Sequence, residues 1–308
     1  MMQVYFYEAF EEEADLLRSG MANDLRAGFS SATIQEAGHA EPPARLISIR
    51  TQSRVPPAWF AGLDGVLART TGWDHLVGLP VASGHLPEYC TRAVAEQAML
   101  LWMALLRKLP RQAEQFARFD RDGLTGGECA GRQLLVVGVG RIGHEIARIG
   151  RGLGMTVRGV DLVRRHPDID YVGEESGLAA ADVIACAMNL TSDNRGWFNA
   201  VRLGAVRRGA IFVNVSRGEL SPAADLARLL DAGVLGGVGL DVYENEPSLA
   251  VALRAGQGSF PLAGRPNVIL TPHNAFNTTE AVARKVLQTN EEVQRFLKSR
   301  RFTWPPGA

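Results

Sequence analysis

The stretch "GVGRIG" constrains this chain most, because it places glycines at 138, 140 and 143 between two differently patterned segments. "LLVV" precedes it as a buried strand, and "HEIARIGRGLG" continues it with helical spacing. In a chain with 33 glycines the bare pattern says little, but a strand–turn–helix setting gives it meaning. Gly138 permits the tight turn, Gly140 lets the backbone approach a pyrophosphate, and Gly143 lets helix and strand pack closely. The helix start, at Arg141 and Ile142, then offers N–H groups and a positive dipole end to phosphates. Asp161 ends the next strand, "TVRGVD", 18 residues after Gly143. A carboxylate there accepts from a ribose and repels a 2′-phosphate, which argues for NAD. Arg164 and Arg165 follow closely and leave a 2′-phosphate as the alternative. A glycine turn without a ligand is the other reading.

The rest of the chain agrees with an α/β fold. "QVYFYEAF", "RLISIR" and "GVLART" read as strands in the first 70 residues, with a short proline-opened helix at "VPPAWF". A long apolar helix spans about 92–108 and closes at Pro110. A glycine-rich loop covers 119–132, and a second α/β series starts at Gln133. Its strands are "LLVVG", "TVRGVD", "DVIACAM", "AIFVNVS", "GGVGLDV" and "NVILTP", with helices at "FNAVRLGAV" and "PAADLARLLDAG". A last helix, 279–299, is long enough to return to the first region. The expected organisation is two Rossmann-like domains with parallel sheets. Residues 89–276 form the NAD-binding domain, inserted into a discontinuous substrate domain of residues 1–88 and 277–308.

Composition narrows the partners. Lys plus Arg balances Asp plus Glu at 33 each, so no net field draws the chain to nucleic acid or an anionic membrane. The apolar core of the 93–106 helix covers about 10 residues, short of the roughly 20 that span a bilayer. Three widely spaced cysteines suggest reduced thiols in a cytoplasmic setting, with no disulfide framework and no metal.

In an open parallel sheet the carboxyl ends of the strands frame the ligand crevice. Asp161, Asn189, Ser216, Arg217, Asp241, Glu246 and His273 all fall near that rim. Asn189 and Ser216 are placed with the cofactor-binding residues. "NVSRGE", "DVYENEP" and "TPHNAF" stand there in order. With the glycine fingerprint, these motifs resemble the D-isomer-specific 2-hydroxyacid dehydrogenases over nearly the full chain. The resemblance implies a catalytic trio. Arg217 would grip the substrate carboxylate bidentately. His273 would exchange a proton with the substrate oxygen, acting as acid in reduction and base in oxidation. Glu246 would favour the charged imidazole. The family's spacing from Asp241 and the following Pro247 favour Glu246 over Glu244. Asp241 resembles the family's residue near the nicotinamide carboxamide, with loop capping as the alternative.

Finer detail is similar to the D-lactate dehydrogenase branch. "LPEYCTRAVAE" sets Tyr89 against the substrate, and "PHNAFNTTEAV" makes Phe276 an apolar wall. In "RTTGWDHL", the amides of Thr71 and Gly72 would meet the substrate carboxylate. Arg50 stands where relatives acting on phosphorylated hydroxyacids keep an arginine, so a phosphorylated or dicarboxylic substrate is the rival. A third reading is an NAD(H)-sensing, corepressor-like protein. The chain departs from the family in a shortened "VGLPVASGH" segment and in lacking the usual tryptophan near residue 124. A homodimer is implied, with the 93–106 helix as its expected interface. The first-choice substrate is a small 2-keto acid, reduced to its D-2-hydroxyacid.

Overall fold

The computed structural model describes residues 2–22, 24–258 and 260–307, and of Glu11 and Glu12 the backbone alone. The chain forms two compact units, Met1–Cys90 with Asn277–Ala308, and Thr91–Phe276.

The first unit holds strands β1 (Val4–Phe6), β2 (Ala27–Phe29), β3 (Leu46–Ile49), β4 (Gly65–Ala68) and β5 (Ala82–Gly84). Every pairing is parallel, in the order β2-β1-β3-β4-β5. Helices α1 (Glu11–Gly20) and α2 (Ile34–Ala37) lie between strands, and α2 opens on a Thr33–Glu36 capping box. β3 and β4 are buried at every residue, which is why they read as unbroken apolar runs. The edge strands β2 and β5 are only three residues long and partly exposed. They give almost no periodic signal, and the sequence reading missed them.

The second unit opens on α3 (Thr91–Leu106) and α4 (Leu109–Gln115). Pro110 does not simply close the long helix. α3 stops at Leu106, and Pro110 stands in the first turn of α4, where a missing N–H costs nothing. Then follow β6 (Gln133–Val137), α5 (Arg141–Gly152), β7 (Thr156–Val160), β8 (Asp170–Tyr171), α6 (Glu174–Ala180) and β9 (Val183–Cys186). The unit ends with α7 (Ala200–Gly204), β10 (Ala210–Asn214), α8 (Ala223–Asp231), β11 (Leu235–Leu240), α9 (Glu246–Arg254) and β12 (Val268–Leu270). All pairings are parallel, in the order β12-β11-β10-β9-β6-β7-β8. The order reverses between β6 and β9, and such a switch point opens a crevice beyond the strand ends.

α3 packs on α5, β10 and β11, burying Ala98, Leu101, Trp102 and Leu105. Most of its apolar surface is therefore internal; Leu100, 53% exposed, is the exception. α10 (Thr279–Ser299) belongs to the first unit and packs along α1. It carries Lys285 into a buried network in which Glu13 accepts from Arg69 at 2.9 Å and faces Lys285 at 3.1 Å. No helix among the described residues is long and apolar enough to cross a membrane.

Candidate active site

β6 delivers the chain into the glycine turn. Gly138 has φ of +89°, and a Cβ on it would stand 2.5 Å from the amide nitrogen of Met188, just past β9. A Cβ on Gly143 would stand 1.9 Å from the Gly138 carbonyl oxygen, so α5 can start here only with glycine. Gly140 differs, because a Cβ there would meet nothing within 4 Å. The protein itself does not require that glycine; a ligand approaching the backbone at the helix start would. Gly140 is the N-cap of α5, so the first-turn amides at Arg141, Ile142 and Gly143 open toward that space. These features fit a dinucleotide pyrophosphate.

Asp161 follows β7, and its two carboxylate oxygens accept from the amides of Val139 (2.6 Å) and Val163 (2.9 Å). It ties the glycine turn to the loop after β7, and each oxygen keeps a lone pair for a hydroxyl donor. Asn189 is exposed past β9, with its carbonyl accepting from the Asn194 side chain at 2.7 Å. The Ser216 hydroxyl donates to the Met188 carbonyl, joining the ends of β9 and β10.

Arg217 follows β10 in extended backbone, and its Nη1 donates to the Ser216 carbonyl at 2.8 Å. Its loop is built by Asn214, a fully buried residue the sequence reading passed over. The Asn214 amide donates to the Arg217 carbonyl and to Ser221 Oγ, each at 2.8 Å, and its oxygen accepts from the Ser216 N–H at 3.0 Å. A Cβ on Gly218 would stand 1.8 Å from the Tyr243 carbonyl carbon. The glycine after Arg217 thus lets the loop beyond β11 press against the Arg217 turn.

That second loop leads through Asn245, at φ +57°, into α9, whose first residue is Glu246. Glu246 Oε1 accepts from the Tyr243 N–H at 3.0 Å, and Oε2 lies 2.7 Å from His273 Nδ1. His273, past β12, holds φ at +49° and donates its N–H to the Asp241 carbonyl at 2.8 Å. The Tyr243 hydroxyl donates to the Thr271 carbonyl at 2.7 Å, so one tyrosine links the Glu246 loop to the His273 loop. Tyr243 is a second residue the sequence reading left out. The only signal for it was its place inside the acidic motif. The Phe276 ring stands edge-on to His273, centroids 6.4 Å apart.

Asp241 is fully buried. Its carboxylate accepts from Thr271 Oγ1, from the Asn274 N–H at 2.9 Å and from the Ala275 N–H at 2.8 Å. Burial raises its pKa, against the pull of these donors. These bonds make Asp241 a cap of the loop that carries His273.

The remaining expected residues lie in the first unit, apart from Phe276. Arg50 follows β3, beside the point where that sheet's order reverses. It is 9% exposed, with its guanidinium over the Phe10 ring at 4.7 Å. Its N–H and those of Gln52 and Ser53 donate to the Glu8 carboxylate. Thr71 is held by its carbonyl to His85 Nδ1 (2.9 Å) and by its hydroxyl to Cys90 Sγ (3.1 Å), and the Gly72 carbonyl accepts from Thr70 Oγ1. Among the described residues no hydrogen bond uses the Thr71 or Gly72 N–H. Tyr89 is buried, with Lys285 Nζ 5.9 Å over its ring.

Comparison with known proteins agrees with this geometry. The NAD-binding-domain model of the D-isomer specific 2-hydroxyacid dehydrogenases matches residues 99–275. The 2-hydroxyacid dehydrogenase A of Aspergillus oryzae is 31% identical over 273 residues, covering 82% of this chain and 78% of that protein. The D-lactate dehydrogenase of Escherichia coli K12 is 32% identical over 239 residues, 72% of each chain. A crystal structure of the Aquifex aeolicus D-lactate dehydrogenase, complexed with NAD and lactic acid, superposes with a TM-score of 0.87. It is 25% identical and covers 98% of this chain and 99% of that one. The chain belongs to the D-isomer-specific 2-hydroxyacid dehydrogenase family. It is an oxidoreductase built on a Rossmann NAD domain, and NAD is its cofactor.

Proposed function

We propose that the protein reduces a small 2-keto acid to the D-2-hydroxyacid, with His273 exchanging the proton and pyruvate as the nearest model substrate. The observation that carries this reading is the 2.7 Å contact between His273 Nδ1 and Glu246 Oε2, on the sheet edge that also bears Arg217. With Nδ1 committed to the carboxylate, Nε2 is the nitrogen that meets the substrate oxygen. Glu246 fixes the orientation of the ring. Arg217 pairs with the substrate carboxylate, and Thr71 and Gly72 of the first unit are assigned to substrate binding. NAD(H) carries the hydride. Its pyrophosphate is assigned to Gly138, Gly140, Arg141, Ile142 and Gly143, its ribose to Asp161, with Asn189 and Ser216 along the same rim.

The unit formed by residues 1–90 and 277–308 is assigned to substrate binding. Phe276 and Tyr89 favour a short apolar substituent, and the likeness to D-lactate dehydrogenases supports that choice. Arg50, in the first unit, is assigned to substrate binding as well. Leu100, Leu109, Phe116 and Phe119, 53%, 50%, 75% and 79% exposed, support a homodimer formed through α3 and the segment after it. The unpaired Cys90, Cys129 and Cys186 support a cytoplasmic setting. The test is a panel of pyruvate, glyoxylate and hydroxypyruvate reduction and 3-phosphoglycerate oxidation, each with its NAD(H) or NADP(H) partner. We expect pyruvate or glyoxylate with NADH to give the highest kcat/KM. Turnover confined to the phosphorylated acid would overturn the substrate assignment.

A further inference from the structure

His144, His166 and Asp168 come together only in the fold, since 22 residues separate the two histidines. No metal is expected from the sequence alone. We propose that these three side chains form a binding site for a zinc-type dication, separate from the catalytic residues.

The geometry supplies three donors from two elements. His144 stands on α5, and His166 and Asp168 on the loop between β7 and β8. One ligand atom from each residue falls within 4.8 Å of the other two. His144 Nε2 lies 3.1 and 3.0 Å from the Asp168 oxygens. Two ligands each about 2.1 Å from a shared ion stand roughly 3.0–3.4 Å apart, so an ion can replace the proton between them with little movement. The His166 ring stacks on His144, with centroids 4.0 Å apart and planes 6° from parallel, so one ring has to turn before both in-plane lone pairs meet one ion. An ion pair between His144 and Asp168 needs no second imidazole in that place. Neutral imidazole is the form that ligates.

Arg151 is the group that opposes a cation here. It donates to Asp168 Oδ2 at 2.7 Å and to the Asp168 carbonyl, which leaves Oδ1 for the ion and fixes the carboxylate as an outer-shell partner would. Arg165 and Asp161 also act on His166. Two nitrogens and one oxygen select a borderline ion such as Zn²⁺ over Mg²⁺ or Ca²⁺, which take oxygen sets. Water completes the tetrahedron, because the site is partly exposed.

The test is competition for Zn²⁺ between the full-length protein and a chromophoric chelator. Wild type, His166→Ala, Asp168→Asn and His273→Ala are compared, and an NADH titration checks that each is folded. One zinc per chain is expected in wild type and in His273→Ala, and Mg²⁺ in excess should not displace it. His166→Ala and Asp168→Asn should bind roughly tenfold or more weakly. Equal zinc affinity in wild type and His166→Ala would overturn the assignment, as would no saturable binding by wild type or loss of the zinc in His273→Ala alone.

Discussion

His273 adopts a left-handed backbone angle that a residue with a Cβ occupies only when its surroundings over-determine it. Asp241 does so, from behind the loop, through the carbonyl that receives the His273 N–H and the carboxylate that receives Thr271, Asn274 and Ala275. The Pro-His motif identified the histidine, while the means of holding it was hidden in a strand-end aspartate that sequence could also read as a cofactor contact. Glu246→Gln keeps an acceptor for the ring but removes the charge; kcat should fall on the order of 10²-fold while the NADH Kd holds. A kcat within twofold of wild type would remove Glu246 from the proposed mechanism. Glu13 gives a pH test in the other unit. Burial alone would raise its pKa, but Arg69 and Lys285 bring it down to about 2 from 4.5. A carboxylate depressed in the folded state stabilises above its unfolded pKa. That stability, at most about 3 kcal/mol, is lost as pH falls from about 4.5 toward 2. Urea midpoints across that window should fall more steeply for wild type than for Glu13→Gln. The variant itself should be less stable at pH 7, because Arg69 and Lys285 lose their buried counter-charge.

At the level of elements, the central strands of both sheets were legible because burial on two faces writes them as continuous apolar runs. β2, β5 and β8 were not, being two or three residues long and partly exposed. α9 was also missed, since its first turn coincides with the acidic motif and none of its residues is fully buried. The glycine turn was legible in full, and it separates folding from binding. Gly143→Ala drives a methyl into the Gly138 carbonyl and should destabilise the protein, by roughly 1–3 kcal/mol. Gly140→Ala meets no protein atom, so its Tm should stay within about 2 °C while NADH affinity drops. Thermal melts paired with NADH fluorescence titrations check both. Unchanged NADH affinity in Gly140→Ala would move the pyrophosphate elsewhere.

For the whole molecule, the parallel pairing in both sheets follows from the alternation of strands and helices, and α10 lies in the first unit. The assembly is less legible, because the helix expected at an interface spends most of its apolar face on its own sheet. Leu100, Leu109, Phe116 and Phe119 are the exposed apolar residues on which the proposed dimer rests. Phe116→Asp combined with Phe119→Asp should convert a dimer to a monomer in sedimentation velocity. Dimerisation at the wild-type concentration would place the interface on another face.

The central claim is that a histidine held by a glutamate moves the proton in a 2-keto acid reduction. Its most direct test is NADH oxidation with pyruvate by wild type and His273→Ala, with the NADH Kd measured for both. We predict a kcat lower by about 10²–10⁴-fold in the variant with NADH affinity retained. Equal turnover by the two proteins would contradict the account.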